Sequence, residues 1–204
     1  MRRLDDKSRM SGDVHVRICE RLGVRFPRAT RLVICCRGQA EEALATMRDM
    51  MSKLKLTVNE SKTRVCKLPE EKFDFLGYTF GCCYSPKTGR AYLGTTPSKK
   101  RVQRICQAIS EETRRGKTQL GCKTVVATLN RMMIGWANYF CLGPVSKAYR
   151  AVERHARKRL RQWLCAKHNE QWPATKRFSE ASLHDELGLA RLTIRTRSFP
   201  WATS

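Results

Sequence analysis

The densest set of side chains that could bind a ligand or take part in chemistry lies between residues 145 and 166. Seven lysines and arginines lie there, and six of them recur at intervals of mostly three or four positions: Lys147, Arg150, Arg154, Arg157, Lys158 and Arg161. Ammonium and guanidinium groups bind phosphate oxygens, and this spacing places several of them along one side of a helix. Ordinary solvated helix faces mix both signs of charge, whereas Glu153 is the only acid in this stretch. The pattern therefore favours a phosphate-binding surface over an ordinary solvated face.

Two earlier segments extend this predicted surface. Four basic residues stand at the start of a preceding helical pattern: Lys99, Lys100, Arg101 and Arg104. The stretch GWANYF (135–140), shortly after Arg131, adds Asn138 and Tyr139. Tyr139 and Trp136 could stack on unpaired bases. Because Trp136 lies on an apolar stripe, packing between helices is the favoured interpretation for that residue.

Groups suited to covalent or metal chemistry are scattered. The four histidines are far apart in the sequence, and no pair of carboxylates falls on predicted strands, as two-metal phosphoryl transfer requires. None of the ten cysteines has a partner at C-x-x-C spacing, so we interpret them as small buried hydrophobes in a reducing compartment. No glycine-rich phosphate loop is present. We therefore expect no catalytic site, no metal site and no cofactor.

The charge of the whole chain points to a polyanionic partner. Its 204 residues have a formal net charge of +23 and a pI of about 10.2. Residues 98–168 alone carry 17 basic and 3 acidic side chains. Nucleic acid is the first candidate partner and an anionic membrane surface the second. Because no apolar stretch suits a signal sequence or a membrane span, we expect a cytoplasmic protein, of bacterial origin.

Residues 32–97 are predicted to form short strands and one helix. The apolar run LVICC is typical of a buried strand, and residues 40–54 have the spacing of an amphipathic helix. Two short strands are expected within 56–68. FDFLGYTF (73–80) predicts one strand, and the turn sequence SPKTGR before AYLG predicts a hairpin.

The rest of the chain is predicted to be mainly helical. Ser98 is a candidate N-cap for a first helix, which has a stripe of Val102, Ile105 and Ile109. Two longer helices are expected at about 123–141 and 145–166, followed by a weak helix near 179–187 and an extended end. Residues 1–31, by contrast, are basic and poorly patterned, so we expect them to be disordered or loosely attached.

These stretches together resemble a known family. From about Leu32 to Ala202 the chain is similar to the C-terminal part of group II intron reverse transcriptases, also called intron-encoded maturases. The stretches that carry the resemblance are VICCRGQAEEAL, LTVNESKTRV, FDFLGYTF, PSKKRVQRI, LNRMMIGWANYF, VSKAYRAVERHARKRLRQWL and FPWA. The resemblance implies group II intron RNA as a partner, and an RNA/DNA template–primer duplex as a further one.

The resemblance also implies an α+β fold that is organised in four segments. Residues 1–31 would be a divergent or disordered segment. Residues 32–97 would be part of a reverse transcriptase palm, with short antiparallel strands and one helix. Residues 98–168 would form a helical thumb and maturase-specific domain, and residues 169–204 a C-terminal tail.

The chain departs from the family at the polymerase site. The family has the motif Tyr-Ala-Asp-Asp, whose aspartates hold catalytic Mg²⁺, but residues 28–31 are Arg-Ala-Thr-Arg. Arginine repels Mg²⁺ and threonine is a weak neutral ligand, so Mg²⁺ is expected only in the intact family. The resemblance implies that Lys62 matches a general-acid lysine of the palm. The alternative, that Lys62 is an ordinary turn lysine, has equal weight. Residues 75–77 would match the strand that supports the primer end.

We therefore expect an RNA-binding, maturase-like protein that assists intron folding and splicing and does not polymerise DNA by itself. Because the resemblance stops in mid-motif, residues 1–31 are interpreted as foreign to the family, through a frameshift or truncation or as a divergent N-terminus. Two alternatives stay open: a subunit of a split RNA-directed DNA polymerase, and a non-functional relic with an open strand edge. The sequence specifies neither the intron nor the oligomeric state.

Overall fold

A computed structural model describes residues 13–19, 31–37, 39–85, 88–171 and 176–196. The fold is α+β, which confirms the predicted class. The strands are β1 Asp13–Cys19, β2 Arg31–Arg37, β3 Arg64–Lys67, β4 Phe73–Phe75, β5 Tyr78–Tyr84 and β6 Ala91–Pro97. The helices are α1 Ala40–Lys53, α2 Lys99–Glu112, α3 Cys122–Tyr139, α4 Ser146–His168 and the short α5 Leu192–Arg195.

The described chain divides into two compact units. The first unit takes the described residues up to Phe73 together with Phe80–Gly94. The second takes Asp74–Thr79 and the described residues from Thr95 onward. The second unit contains α2, α3 and α4, and therefore all the basic residues predicted to contact RNA.

The first unit contains a three-stranded sheet in the order β2-β1-β3. Strand β1 is central and antiparallel to both neighbours, with Val16 opposite Ile34 on one side and Val65 on the other. Within the segment expected to be disordered or loosely attached, Asp13–Cys19 form this strand, while residues 1–12 and 20–30 lie outside the described chain. The apolar residues of DVHVRIC alternate with polar ones, which is the period of a strand.

Helix α1 packs on this sheet, as its apolar stripe predicts. Its residues Ala40 and Met47 are buried, and Ile34 and Val65 pack against them. Within 56–68 only the second predicted strand forms, as β3. The first is reduced to a single bridge at Val58 before one 3₁₀ turn, Glu60–Lys62.

Strands β4, β5 and β6 form a second three-stranded sheet in that order. The prediction of a single strand over 73–80 is wrong, because the chain reverses at Leu76 and Gly77, with φ of 49° and 90°. Two successive positive φ values are the signature of a tight two-residue hairpin turn. A Cβ on Gly77 would also lie 2.9 Å from Arg101 Nε, so this close approach requires glycine. The predicted hairpin from β5 to β6 is confirmed.

The core of the second unit lies among α2, α3 and α4. The three helices confirm the predicted segments, and Ile109, Leu129 and Leu160 from successive helices are fully buried. Ser98 occupies the N-cap position of α2, although its side chain makes no capping hydrogen bond. Apolar side chains at the predicted i, i+3 and i+4 spacing therefore drive this packing.

Residues 176–196 are part of this core. Leu183, Leu189 and Leu192 are each 2% exposed or less and pack with α3 and α4. The predicted weak helix appears as a short π-helical turn, Ser182–Glu186, and α5 was not predicted. Residues 197–204, expected to be extended, lie outside the described chain.

Candidate nucleic-acid interface

Helix α4 has a buried apolar side, which holds its only acid. Tyr149, Ala156 and Leu160 on this side are fully buried. Glu153 is 7% exposed, and one of its carboxylate oxygens accepts hydrogen bonds from the Thr193 backbone N–H and hydroxyl, each at 3.2 Å. The negative charge of Glu153 is therefore turned toward α5, and the solvent side of α4 carries no acid.

The opposite side of α4 presents four exposed cations, which we call the open stripe. Its members are Lys147, Arg150, Arg154 and Lys158. At a rise of 1.5 Å per residue the stripe extends about 16 Å along the helix. Within the described chain the side chains of Lys147, Arg154 and Lys158 make no hydrogen bond or ion pair, and Arg150 Nε donates only to the local Ser146 carbonyl, at 3.3 Å. These charged heads are thus available to phosphates.

Other cations of α4 are held by the protein itself, and we call them the anchored cations. They are Arg157, Arg159, Arg161 and Lys167. The Arg157 guanidinium pairs with the Glu180 carboxylate, and Arg161 Nε donates to the Phe178 carbonyl at 2.9 Å. Arg157 and Arg161 were predicted to contact RNA, whereas the structure places them against residues 178–180.

Arg159 and Lys167 join α4 to the α2–α3 region. Arg159 donates four hydrogen bonds of 3.0–3.2 Å, to the Ser110 carbonyl, to the carbonyl and hydroxyl of Thr113 and to Gln162 Oε1. Lys167 Nζ donates to the carbonyls of Thr118 and Leu120, at 2.8 and 2.9 Å. Because the backbone acceptors lie more than forty positions away in the chain, sequence spacing gave no signal for this role.

The N-terminal turn of α2 forms a second exposed cationic patch. Lys99, Lys100, Arg101 and Arg104 are all exposed, while Ile105 and Ile109 face the core. The first turn contains no acid, so its lysines add to the positive end of the helix dipole. This arrangement repels cations and attracts anions such as phosphate.

Helix α3 contributes little charge to the surface. Arg131 is exposed, and Asn138 Oδ1 accepts a hydrogen bond from Arg195 Nη2 at 2.8 Å. Tyr139 is 54% exposed, but its hydroxyl donates to the Leu76 carbonyl at 2.9 Å. Its ring also lies edge-on to Phe140, with ring centroids 4.7 Å apart. One face of Tyr139 at most can therefore receive a base.

Aromatic side chains complete the C-terminal end of α3. Trp136 is partly buried and packs against Phe140 and Tyr149, which confirms the packing interpretation. Tyr149 donates to the carbonyls of Ala137 and Phe140, at 2.8 and 3.1 Å, and burial raises its pKa to about 12. The hydroxyl thus satisfies carbonyls that a helix end leaves unpaired.

A serine–histidine contact links α2 to α4. Ser110 Oγ and His155 Nε2 are 2.9 Å apart, and burial lowers the pKa of His155. The positive charges of Arg159 and Lys158 lower it further. Because the pair is packed between two helices, we assign it to helix packing.

The described part of the chain offers neither a metal-binding cluster nor a membrane-spanning helix. Within the described ranges no group of three or more His, Cys, Asp or Glu side chains could hold a metal ion. None of the helices in those ranges is long and apolar enough to cross a bilayer.

The residues that correspond to the family's polymerase site are described only in part. Lys62 is exposed in the 3₁₀ turn of the first unit, and residues 28–30 of the altered motif lie outside the described chain.

A comparison with protein families assigns the helical region. Residues 102–179 match the model of the family described as group II intron, maturase-specific domain. This helical region is a maturase-specific region. The match begins in α2, includes all of α3 and α4, and ends at Ser179, so the open stripe lies within it. A search of curated proteins found no match.

The maturase-specific domain connects the observed surface to a process. Its presence confirms the recognised C-terminal maturase region and indicates a role in the splicing of group II introns, with intron RNA as the implied partner. Sequence reasoning found the open stripe by spacing and sign of charge. It did not separate the open stripe from Arg157 and Arg161, because their partners come from the segment after α4.

Proposed function

We propose that this protein binds group II intron RNA through the open stripe and the exposed cations of α2, and stabilises the RNA fold that splices. The observation that carries the proposal is a solvent-facing side of α4 with four cations and no acid. Each cation that neutralises a phosphate releases condensed counterions, which favours binding. Because this energy does not depend on sequence, the open stripe would position RNA without reading its bases.

The proposed mechanism is electrostatic support of a folded RNA. Folding brings phosphates of separate RNA segments together, and their repulsion opposes compaction. A row of cations about 16 Å long on one helix lowers that repulsion at one place. In the family that the chain resembles, the intron RNA is itself the catalyst, so no protein side chain needs a catalytic role.

We infer further that the chain does not polymerise DNA by itself. The support is the sequence Arg-Ala-Thr-Arg at residues 28–31, where the resembled family has its Mg²⁺-binding aspartates. Primer extension on an RNA template with Mg²⁺ should give no product. Extension by this chain alone would contradict the inference, and extension only with a second polypeptide would support a split polymerase.

Filter binding to group II intron RNA tests the proposed surface. In an open-stripe variant, Lys147, Arg150, Arg154 and Lys158 are all replaced by Gln. A control variant carries the same change at four exposed cations of the first unit: Lys53, Lys55, Lys67 and Arg90. At about 0.1 M salt we expect the open-stripe variant to bind about 100-fold more weakly. Equal affinities of the two variants would remove α4 from the interface.

A further inference from the structure

We infer that a pocket at the C-terminal end of α4 receives one unpaired nucleobase of the RNA strand whose phosphates follow the open stripe. The pocket has a volume of about 530 Å³, and its lining includes Arg115, Arg159, Gln162, Trp163, Asn169 and Gln171. The inference rests on the proposed function and adds a contact that depends on a base.

The pocket continues the open stripe in space. Gln162 follows Lys158 by four residues, which is about one helical turn or 6 Å on the same side of α4. Asn169 extends the same side beyond the end of the helix. A strand with phosphates near Lys158 would therefore bring its next nucleotides to the pocket.

The pocket holds hydrogen-bond donors without partners. Gln162 Oε1 accepts from Arg159 Nη1 at 3.2 Å, which fixes the amide, and the amide N–H groups have no acceptor among the described residues. Trp163 is 1% exposed, and its indole nitrogen makes no hydrogen bond within the described chain. The free Gln162 amide N–H groups are therefore the donors that an acceptor entering the pocket would meet, and Trp163 adds an aromatic side chain to the lining.

The end of α4 favours a neutral ligand over a phosphate. Asn169 closes the helix at a φ of 55°, and the Cys165 carbonyl accepts from the backbone N–H groups of Asn169 and Glu170. The later carbonyls of a helix are left unpaired and form the negative end of the dipole, which repels an anion. A nucleobase edge is uncharged and carries both acceptors and N–H donors, so it matches donors and carbonyls together.

The charges around the pocket fit a base attached to a backbone. Arg115 is exposed and lies in the pocket lining, and its guanidinium makes no hydrogen bond or ion pair within the described residues. The Glu170 carboxylate pairs with the Arg177 guanidinium, so its charge is offset. Arg115 can contact the phosphate of the inserted nucleotide or stack on its base. A base in a duplex cannot enter, because its edge is already paired.

Binding of single-stranded RNA and of a matched abasic strand tests the pocket. Two full-length variants remove pocket amides, Gln162→Met and Asn169→Gly. Glycine suits the positive φ of residue 169, so that helix end is retained. The control is Gln107→Met, the same change at an exposed position of α2.

Each pocket variant should bind the base-containing strand about fivefold more weakly, in proportion to one or two lost hydrogen bonds. Binding of the abasic strand should not change, because its phosphate contacts remain. We also expect adenosine monophosphate to compete only at much higher concentration than the strand. Competition at equal concentration would overturn the strand assignment in favour of a free nucleotide.

Two further outcomes would also overturn the inference, and they are distinguishable. If the pocket variants keep the unmodified ratio of affinities for the two strands, the pocket takes no base and the proposed function stands. If the unmodified chain binds neither strand at low salt, the proposed function fails together with the pocket.

Discussion

Two sets of cations on α4 carry the same residue types and have different neighbours. The open stripe faces solvent, and three of its four cations have no hydrogen bond or ion pair among the described residues. The anchored cations form an ion pair with a carboxylate or donate hydrogen bonds to backbone carbonyls outside α4. A count of basic residues on a helix therefore overstates its phosphate-binding capacity, because tertiary structure uses some cations to hold the helix in place.

The largest expected effect on stability separates two adjacent residues, Arg159 and Lys158. Arg159→Ala should lower the free energy of unfolding by about 2–4 kcal/mol, because it leaves the Thr113 carbonyl without a donor and the Ser110 carbonyl with only the Thr113 hydroxyl, at 3.4 Å. Lys158→Ala should change it by less than about 0.5 kcal/mol, since the side chain is exposed. Urea denaturation measures both changes. Similar losses for the two variants would remove the distinction between the two sets.

An intermediate effect is expected at Glu153, the buried acid opposite the open stripe. Glu153→Ala removes the acceptor for the Thr193 N–H and hydroxyl, and should lower the free energy of unfolding by about 1–3 kcal/mol. Glu153→Gln keeps one acceptor oxygen and should lose less. Neither change should alter RNA affinity, because the carboxylate is buried. A rise in RNA affinity like that expected from removing an exposed acid would show that Glu153 acts at the RNA surface and not in the core.

A smaller, pH-dependent effect is expected at His155. Burial holds the pKa of the folded residue below its ordinary 6.5, so the unfolded chain binds a proton more readily. Stability therefore rises with pH, and this contribution is lost as pH falls below about 6.5. His155→Gln keeps a polar partner for Ser110 and should flatten the profile between about pH 5 and about pH 7. Urea titrations at several pH values measure this profile. If His155→Gln keeps the pH profile of the unmodified chain, the pH dependence of stability does not come from His155.

The sequence was sufficient where local pattern decides the structure. The stripes of Val102, Ile105 and Ile109 and of the two later helices predicted α2, α3 and α4 because burial follows helical period. Strand β1 was missed because its short alternation lies in a basic segment. The turn at Leu76 was missed because a leucine seldom adopts a positive φ.

The candidate site was predictable in part for the same reason. Spacing and sign of charge are local, so they revealed Lys147, Arg154 and Lys158. The hydrogen bond from Arg161 to the Phe178 carbonyl depends on how residues 176–196 pack, and no local sequence pattern specifies that packing. The pocket was also missed, since its lining joins the end of α4 to residues near Arg115.

The salt dependence of intron RNA binding tests the central claim most directly. The logarithm of the association constant is measured against the logarithm of salt concentration for the unmodified chain, the open-stripe variant and the four-site control. The account predicts that the open-stripe variant has a slope shallower by about 3, from four lost phosphate contacts, while the control keeps the original slope. Equal slopes for the open-stripe variant and the unmodified chain would show that α4 does not bind the RNA backbone.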